Sequence, residues 1–310
     1  MTTHRFDGRT AVVTGAGGNP SLGRAHALLL ARLGANVVVN DIGPAAETPN
    51  YPYPANAEAV AAEIRAAGGK AVADTNSVAT VAGAEAMVQT ALDAFGSIDI
   101  LVNNAAFSIT ALFEDLTAKD FERHIAVNLL GAAWTCKAAW PHMKARGYGR
   151  IVNIASGAIA GGAGVAAYAA SKGGIFSLTR SLASEGAPHG IVANSVNPGG
   201  FSRLVMATQQ EGSFIYELAK NAPAELSSPA VALLSHEHCP VTGECIDAVA
   251  GMVKRVYLAQ TDGFVDPELT IDRLAERWDE VMAGVHASII GYGGHEIFDG
   301  AQPYDPATRD

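Results

Sequence analysis

Short runs rich in β-branched residues alternate with longer, alanine-rich stretches along most of the chain. Each run is apolar on both faces, which is typical of strands buried within a parallel sheet. The runs cover residues 10–14, 36–41, 70–74, 98–104, 150–156 and 190–198. The helical patterns between them cover residues 22–34, 55–69 and 81–96. This alternation predicts an α/β fold, with a doubly wound parallel β-sheet covered by helices on both faces.

Two stretches depart from the alternation and set the expected domain boundaries. Residues 42–55 hold four prolines directly after the second predicted strand, so we expect a loop insertion over the sheet edge. Residues 1–250 are predicted to form one domain, because a chain of 310 residues that is 49% hydrophobic can bury one large core. Residues 251–310 are a C-terminal extension that we expect to pack on the domain or on a neighbouring subunit. Its apolar residues at helical spacing predict one amphipathic helix, formed by Ile271, Leu274, Trp278, Val281 and Met282.

Charge and cysteine content limit the expected partners. Asp and Glu number 31 against 21 Lys and Arg, so a net charge of −10 would repel nucleic acid and anionic membranes, and a small molecule is the expected partner. Three cysteines are too few for a disulfide framework and the N-terminus has no apolar signal segment, so we expect a cytoplasmic protein. The cluster of His236, His238, Cys239 and Cys245 matches no common zinc spacing, so no metal site is expected.

A glycine-rich turn follows the first predicted strand. Gly15, Gly17, Gly18 and Gly23 lie where a backbone without Cβ atoms can approach a diphosphate and a helix N-terminus offers free N–H groups. An ordinary strand-to-helix turn would also use glycine. Asp41, at the end of the second strand, favours the nucleotide interpretation because a carboxylate there can accept hydrogen bonds from an adenosine ribose. The same charge would repel a 2′-phosphate, so the predicted cofactor is NAD rather than NADP. A helix cap or a solvated strand end is the alternative role for Asp41.

An Asn-Pro pair interrupts this turn. Proline fixes its own φ and disfavours the helical region for the residue before it, so Asn19 and Pro20 predict a rigid bulge. Ser21 is the expected N-cap of the helix that begins at Leu22 and Gly23. In that position its hydroxyl could meet a phosphate oxygen of the cofactor.

A second constellation lies in the sequence YAASK. Tyr168 and Lys172 are four residues apart, so on a helix both side chains project from one face. An ammonium group beside a phenol lowers the pKa of the phenol, which makes Tyr168 a better base near neutral pH. Ser156, at the end of the preceding strand, could hold a substrate oxygen. A surface helix pair is the common alternative explanation of this spacing.

Together these motifs resemble those of the short-chain dehydrogenase/reductase superfamily over residues 5–250. They occur in the family's order: the glycine-rich turn, Asn103 to Ala105, Asn128, Ser156, the YAASK stretch, and Val196 to Gly200. The stretches at 37–43, 138–156, 239–244 and 264–270 look like the branch that contains the (3R)-hydroxyacyl-CoA dehydrogenase part of peroxisomal multifunctional enzyme type 2, with bacterial hydroxysteroid dehydrogenases nearby. The resemblance implies a Rossmann-type sheet and an NAD(H)-dependent oxidoreductase.

The resemblance also implies a role for each catalytic residue. Tyr168 is the general acid/base, Lys172 lowers its pKa and holds the nicotinamide ribose, and Ser156 orients the substrate oxygen. Asn128 kinks its helix and holds a water that completes a proton relay to Lys172. Ser156 is one residue closer to Tyr168 than is typical in the family, so Ala155 is the strict match by spacing. We favour Ser156 because alanine offers no hydroxyl.

The family's binding residues map onto this sequence as follows. The implied cofactor contacts are Gly15, Gly17, Asn19, Ser21, Leu22, Gly23, Asp41, Asn76, Ser77, Asn103, Ala105, Tyr168, Lys172, Pro198, Gly199 and Ser202. The implied substrate contacts are Phe107, Gly157, Gly200 and Met206. Residues 199–225, rich in apolar side chains, correspond to the family's mobile lid over the substrate.

The expected function is the interconversion of a secondary alcohol and a ketone on a sizeable apolar substrate. Candidates are hydroxysteroids, 3-hydroxyacyl-CoA and other ring or chain alcohols. The expected rim of the site holds few cations besides Arg203 and Lys220, which slightly favours a neutral substrate. The alternative is an NAD-binding sensor or scaffold protein that kept the fold and lost the chemistry. The family also implies a homotetramer or a homodimer.

Overall fold

Eight strands form the central sheet. The computed structural model describes residues 4–43, 55–283 and 287–291. The strands of the sheet are β1 (Thr10–Val13), β2 (Asn36–Asn40), β3 (Lys70–Asp74), β4 (Ile100–Asn103), β5 (Gly149–Ile154), β6 (Ile191–Gly199), β7 (Cys245–Val249) and β8 (Met252–Val256). Their order is β3-β2-β1-β4-β5-β6-β7-β8. Strands β1 to β7 pair in parallel, and β8 returns antiparallel to β7.

The strand order reverses between β1 and β4, and this reversal positions the site. Val12 of β1 faces Val38 of β2 on one side and Leu101 of β4 on the other. Successive crossovers therefore turn away from each other at this point, which leaves a crevice outside the carboxyl ends of the strands. The segments that follow β1, β4, β5 and β6 meet around that crevice.

Helices flank the sheet. They are α1 (Leu22–Arg32), α2 (Ala57–Ala66), α3 (Val81–Phe95), α4 (Ala118–His124), α5 (Gly131–Arg146), α6 (Ala166–Gly186), α7 (Arg203–Thr208), α8 (Phe214–Lys220) and α9 (Ser228–Ser235), with a π-helical segment at Ile125–Leu130 between α4 and α5. The first three helices each begin with a side-chain N-cap. The cap residues Ser21, Asn56 and Thr80 accept a hydrogen bond from a backbone N–H in the first turn of α1, α2 and α3.

The core consists of two apolar layers, one on each face of the sheet. Val37 of β2 belongs to the layer that contains Leu30 and Ile64, whereas Val38 belongs to the layer that contains Met87. All of these side chains are at most 1% exposed. Burial on both faces explains why the strands are apolar at every position rather than at alternate ones.

The sheet confirms the predicted class of fold and extends further than predicted. All six predicted strands are present, with ends that differ by at most two residues. Strands β7 and β8 were not predicted; the residues of β8 read MVKRV and are mostly exposed, so they lack the pattern of a buried strand. Because β8 pairs with β7, the expected boundary after residue 250 falls within the sheet, and the first compact unit ends at Val256.

The lid segment 199–225 forms α7 and α8. Residues 44–54 of the expected loop insertion 42–55 lie outside the described residues.

A second unit begins at Tyr257. Its described elements are β9 (Ala259–Thr261), α10 (Ile271–Glu276), α11 (Trp278–Met282) and β10 (Ala287–Ile289), with β10 antiparallel to β9. The prediction of one amphipathic helix is wrong, because α10 ends at Glu276 and α11 begins at Trp278, with Arg277 between them. Ile271 and Met282 are 82% and 65% exposed, so they do not form a shared buried face. Packing of this unit on the domain or on a neighbouring subunit stays a prediction.

Candidate active site

A cavity of about 660 Å³ opens at the carboxyl ends of the central strands. Its wall is built from the glycine-rich turn, the segments after β2, β4 and β5, helix α6 and the lid. The predicted site residues in this wall are Gly15, Ser21, Leu22, Asp41, Ser77, Ala105, Phe107, Ser156, Tyr168, Lys172, Pro198, Gly199, Gly200 and Ser202. One cavity therefore joins the predicted nucleotide end, at Asp41, to the predicted catalytic end, at Tyr168.

Tyr168 and Lys172 both reach this cavity from α6. The ammonium of Lys172 lies 5.7 Å from the centroid of the Tyr168 ring. Lys172 is 1% exposed, and its Nζ donates a hydrogen bond of 2.5 Å to the carbonyl oxygen of Ile154, the last residue of β5. Burial lowers the pKa of Lys172 from 10.5 to about 7. The alternative of a surface helix pair is therefore wrong, since the lysine is enclosed by the protein.

Ser156 follows β5 and lies in the same wall as Tyr168. Its Oγ accepts a hydrogen bond of 3.2 Å from the backbone N–H of Ala158, which orders the turn that follows the strand. Ala155 also lines the cavity and has no hydroxyl. Ser156 is thus the hydroxyl that the end of β5 offers to a bound molecule.

Asn128 lies in the π-helical segment, where the helix has a wider turn than an α-helix, and the kink expected at this residue stays a prediction. Its buried Oδ1 accepts the N–H of Phe107 at 2.7 Å. Its Nδ2 donates to the carbonyl oxygen of Phe107 at 2.9 Å and to Ser171 Oγ at 3.0 Å. Asn128 therefore holds the loop after β4 against α6. The relay water expected at Asn128 stays a prediction.

Close backbone contacts shape the glycine-rich turn. A Cβ on Gly17 would lie 2.8 Å from the Ala57 nitrogen and 2.8 Å from the Asp41 Cβ, so a larger residue would displace both neighbours. Ser21 caps α1 as predicted, with its Oγ accepting the N–H of Arg24 at 3.4 Å. The Asn19–Pro20 peptide bond is cis. The turn thus presents backbone and a helix N-terminus to the cavity, which are the groups that bind a diphosphate.

Asp41 lies directly after β2 and is 7% exposed. Its carboxylate accepts the N–H of Gly17 at 3.0 Å and that of Gly43 at 3.4 Å. Burial raises the pKa of Asp41, while Arg203 and the two backbone N–H groups oppose that shift. The alternative role as a helix cap is wrong, since Asn56 caps α2. A glycine-rich turn, a helix N-terminus and this carboxylate together fit an adenine dinucleotide.

Some predicted contacts lie outside the cavity wall. Within the described part of the chain these are Gly17, Asn19, Gly23, Asn76, Asn103, Asn128, Gly157 and Met206. The side chain of Asn103 points into the core, where it donates to Asn153 Oδ1 at 2.9 Å and accepts from Thr135 Oγ1 at 2.7 Å. Asn76 donates to Asp74 Oδ2 at 2.7 Å. Asn103 therefore joins β4 to β5 and α5, and a cofactor contact through its side chain is not supported.

His124 supports the catalytic end of the cavity and was not predicted. It is fully buried, and its ring centroid lies 6.4 Å from that of Tyr168. Its Nε2 accepts the N–H of Ile109 at 3.2 Å, and its Nδ1 lies 2.7 Å from the carbonyl oxygen of Asp120. These partners assign a neutral ring with the proton on Nδ1, and burial lowers the pKa of His124 accordingly. The sequence signal for it was a histidine one helical turn before Asn128.

Arg123 was also missed. It lines the cavity, and its guanidinium lies 4.2 Å from the centroid of the Phe107 ring. Arg203 lines the cavity as well, whereas Lys220 does not. The expectation of a rim with Arg203 and Lys220 as its cations is therefore corrected to Arg203 and Arg123.

Residues of the cluster His236, His238, Cys239 and Cys245 form hydrogen bonds with other atoms of the protein. His236 Nε2 lies 3.1 Å from the carbonyl oxygen of Arg5, and Cys239 Sγ donates to the carbonyl oxygen of Val241 at 3.1 Å. Among the described residues, no group of three or more His, Cys, Asp or Glu has the arrangement of a metal site. Over the same residues, no helix has the length and apolar character needed to cross a membrane.

A family model described as short chain dehydrogenase matches residues 9–212. The chain belongs to the short-chain dehydrogenase family. This short-chain dehydrogenase is 38% identical over 293 residues to peroxisomal multifunctional enzyme type 2 of Drosophila melanogaster, which covers 93% of this chain and 47% of that relative. It is 37% identical over 287 residues to a short-chain type dehydrogenase/reductase of Mycobacterium tuberculosis, which covers 92% of this chain and 97% of that relative. The short-chain dehydrogenase thus spans about half of the first relative and nearly all of the second.

Solved structures agree with this assignment. A short-chain dehydrogenase from Mycobacterium avium has a TM-score of 0.76 and 32% identity, with 93% of this chain and 99% of that chain covered. Full-length peroxisomal multifunctional enzyme type 2 from Drosophila melanogaster has a TM-score of 0.74 and 33% identity, with 93% of this chain and 47% of that chain covered. The short-chain dehydrogenase is therefore an oxidoreductase with a Rossmann-type sheet.

Proposed function

We propose that this enzyme is an NAD(H)-dependent dehydrogenase that interconverts a secondary alcohol and a ketone on a sizeable apolar substrate. The observation that carries the proposal is the burial of Lys172 beside Tyr168, in the wall of the cavity that also contains Asp41. One hydrogen bond, to the carbonyl oxygen of Ile154, ties this ammonium to β5, whereas its place next to a phenol at the end of a nucleotide-type crevice favours a chemical role as well. The sensor or scaffold alternative does not account for it.

Each catalytic residue then has a defined task. Tyr168 removes the hydroxyl proton of the alcohol in oxidation and returns it in reduction. Protonated Lys172 favours the tyrosinate form of Tyr168, and Ser156 donates a hydrogen bond to the substrate oxygen. When bound, the nicotinamide ring accepts or donates the hydride. Asn128 and His124 position the loop after β4 without reaching the reacting atoms.

NAD rather than NADP is proposed because of Asp41. Its carboxylate is an acceptor for two ribose hydroxyls, and its negative charge opposes a 2′-phosphate at the same position. Arg203, 3.8 Å from Asp41 Oδ2, would reduce that opposition in part. Kinetics with NAD⁺ and NADP⁺ test the assignment, and a preference for NADP⁺ would refute it.

The substrate is proposed as a class only. Leu204, Val205 and Leu218 of the lid make much of the wall apolar, and Arg123 adds a cation. One relative, from Thauera aromatica, is named as a dehydrogenase of a substituted succinyl-CoA and is 38% identical over 194 residues. Acyl-CoA alcohols and neutral hydroxysteroids therefore both remain candidates. A screen for NADH production with 3-hydroxyacyl-CoA, hydroxysteroid and terpenoid alcohols separates them.

Replacement of Tyr168 tests the chemistry. Tyr168→Phe keeps the ring and removes the group that carries the proton, so we expect turnover to fall by about 100-fold or more while NADH still binds. Tyr148→Phe is a matched control, since Tyr148 lies between the guanidinium groups of Arg9 and Arg150, away from the cavity. Undiminished turnover by Tyr168→Phe would show that the assignment is wrong. Dinucleotide binding without any turnover by the unaltered protein would favour the sensor alternative.

A cytoplasmic location is part of the proposal on the basis of the sequence. The word peroxisomal belongs to the names of several relatives and is said of those proteins. Imaging of the tagged protein in its source cells tests the location.

A further inference from the structure

Arg203 extends from the lid to the glycine-rich turn. It is the first residue of α7, and its backbone N–H donates to the carbonyl oxygen of Pro20 at 3.2 Å. Its guanidinium lies directly over Gly18: a Cβ on that glycine would be 2.8 Å from Nη2. The Asn-Pro pair that lengthens the turn therefore supplies the carbonyl that receives the lid.

The same guanidinium faces the carboxylate of Asp41. Arg203 Nη2 and Asp41 Oδ2 are 3.8 Å apart, so they form an ion pair but are too far apart for a hydrogen bond. The two side chains are only 16% and 9% exposed, so the pair is poorly screened by solvent. Asp41 is thus balanced by a charge from a different part of the chain, at a distance that leaves room for a closer partner of either group.

If an adenine dinucleotide binds along the glycine-rich turn, its ribose and its diphosphate fall on the two sides of this ion pair. Ribose hydroxyls are donors that can replace Arg203 at Asp41, and the diphosphate follows along the turn toward the N-terminus of α1. A guanidinium over Gly18 is then next to the diphosphate, and its planar fork matches phosphate oxygens. Exchange of a carboxylate partner for a phosphate partner leaves the arginine paired in both states.

We propose that Arg203 is a dinucleotide-binding residue carried by the lid. It pairs with Asp41 in the ligand-free protein and binds the diphosphate when the dinucleotide enters, so that cofactor binding holds α7 against the glycine-rich turn. The proposal rests on the proposed function, because it requires that the cavity take an adenine dinucleotide. According to this proposal, the lid binds the cofactor as well as covering the substrate.

Binding of cofactor fragments separates the two partners of Arg203. Calorimetry with ADP-ribose and ligand-observed NMR with adenosine are compared for the unaltered protein and Arg203→Gln. We expect Arg203→Gln to lose about tenfold or more in affinity for ADP-ribose, since a charge-assisted bond to phosphate is removed. Affinity for adenosine, which has the hydroxyls but no phosphate, is expected to be unchanged or higher. Lys220→Gln is the matched control, because it removes a positive charge from the same lid at a residue outside the cavity wall.

Hydrogen exchange supplies a measurement that does not depend on turnover. In the unaltered protein ADP-ribose is expected to slow exchange in residues 203–208, and adenosine is not. In Arg203→Gln both ligands are expected to leave that segment unprotected. Arg203→Lys, which keeps the charge and loses the fork, is expected to fall between the two and serves if Arg203→Gln does not fold.

Three outcomes would overturn the proposal. Equal affinity of the unaltered protein and Arg203→Gln for ADP-ribose would show that Arg203 does not bind the diphosphate. With 2′,5′-ADP as a third ligand in the same titrations, a loss of affinity confined to that ligand would show that Arg203 instead contacts a 2′-phosphate. Failure of the unaltered protein to bind ADP-ribose, NAD⁺ or NADP⁺ would refute the proposed function itself, and this result is distinct from the first two.

Discussion

Lys172 is a titratable group that the protein encloses in its interior. The unfolded chain holds this lysine protonated up to about pH 10.5, whereas burial lowers the pKa of the folded group to about 7. Between these values the unfolded state binds more protons, so the free energy of unfolding rises with pH. The cost of enclosing the ammonium is therefore largest at and below pH 7, where the proposed mechanism requires the protonated form of Lys172.

Lys172→Met tests this opposition between stability and function. Methionine has a similar length and no charge, so we expect the ligand-free variant to be more stable by ~1 kcal/mol or more at pH 7 and to have lost turnover. The advantage in the free energy of unfolding should shrink as the pH rises toward 10. Urea denaturation at several pH values measures it. A variant that is less stable than the unaltered protein at pH 6 would contradict the prediction.

At the scale of elements, helices α1 and α9 are joined by a buried polar pair. His26 of α1 is 1% exposed, and its Nδ1 lies 2.8 Å from Ser228 Oγ. Burial lowers the pKa of His26 to about 3, so the folded protein holds this histidine neutral. The pair matters for the site because α1 begins at the glycine-rich turn.

Acid should therefore destabilise the protein partly through His26. The unfolded chain takes up a proton at this residue below about pH 6.5, whereas the folded protein does so only near pH 3. The free energy of unfolding therefore keeps its full value above pH 6.5 and decreases as the pH falls from 6.5 to 3. His26→Gln cannot titrate, and we expect its loss of stability between pH 7 and pH 5 to be smaller by up to about 2 kcal/mol. Urea midpoints at the two pH values measure this, with the exposed His238→Gln as control. Equal losses in His26→Gln and the unaltered protein would contradict the prediction.

The lid shows how one short helix acquires its position. Ser202 caps α7, with its Oγ accepting the N–H of Val205 at 3.4 Å, and the same serine lines the cavity. Phe201 and Tyr216 pack edge to face at a centroid distance of 5.5 Å, which joins the start of the lid to α8. A capped helix that also reaches the turn through Arg203 is a defined element, as opposed to an irregular loop.

At the scale of the whole molecule, the cavity belongs to the first unit. Every residue in its wall precedes residue 250, and both core layers lie before residue 249 as well. The unit from Tyr257 has its own two-stranded pairing and its own ion pairs, such as Arg277 with Glu280 at 2.8 Å. Assembly as a homotetramer or homodimer stays a prediction.

A chain that ends at Val256 is therefore expected to fold and to bind NADH with an affinity within about threefold of the full chain, because the core and the cavity are retained. Circular dichroism and NADH fluorescence measure the two properties. A second truncation after residue 244, which removes β7 and β8, should fail to fold and serves as the contrast. Loss of NADH binding in the longer truncation would show that the second unit contributes to the site.

The sequence alone determined the features that arise within single elements. Apolar runs at every position predict buried strands, a four-residue spacing predicts that Tyr168 and Lys172 share a helix face, and Ser21 before Leu22 predicts a helix cap. Each of these depends on neighbours a few residues away, and local geometry therefore decides it. The order of the motifs was enough to identify the family.

Only the tertiary structure decided which distant residues meet. Asn103 points into the core because its strand packs against Thr135 and Asn153, and spacing carries no information about that choice. Strand β8 exists because β7 offers it an edge, although its own residues are mostly exposed. Arg203 reaches Asp41 because the chain returns over the glycine-rich turn after crossing the sheet. Contacts between residues far apart in sequence depend on the whole path of the chain, and that path is settled by the collective packing of the core.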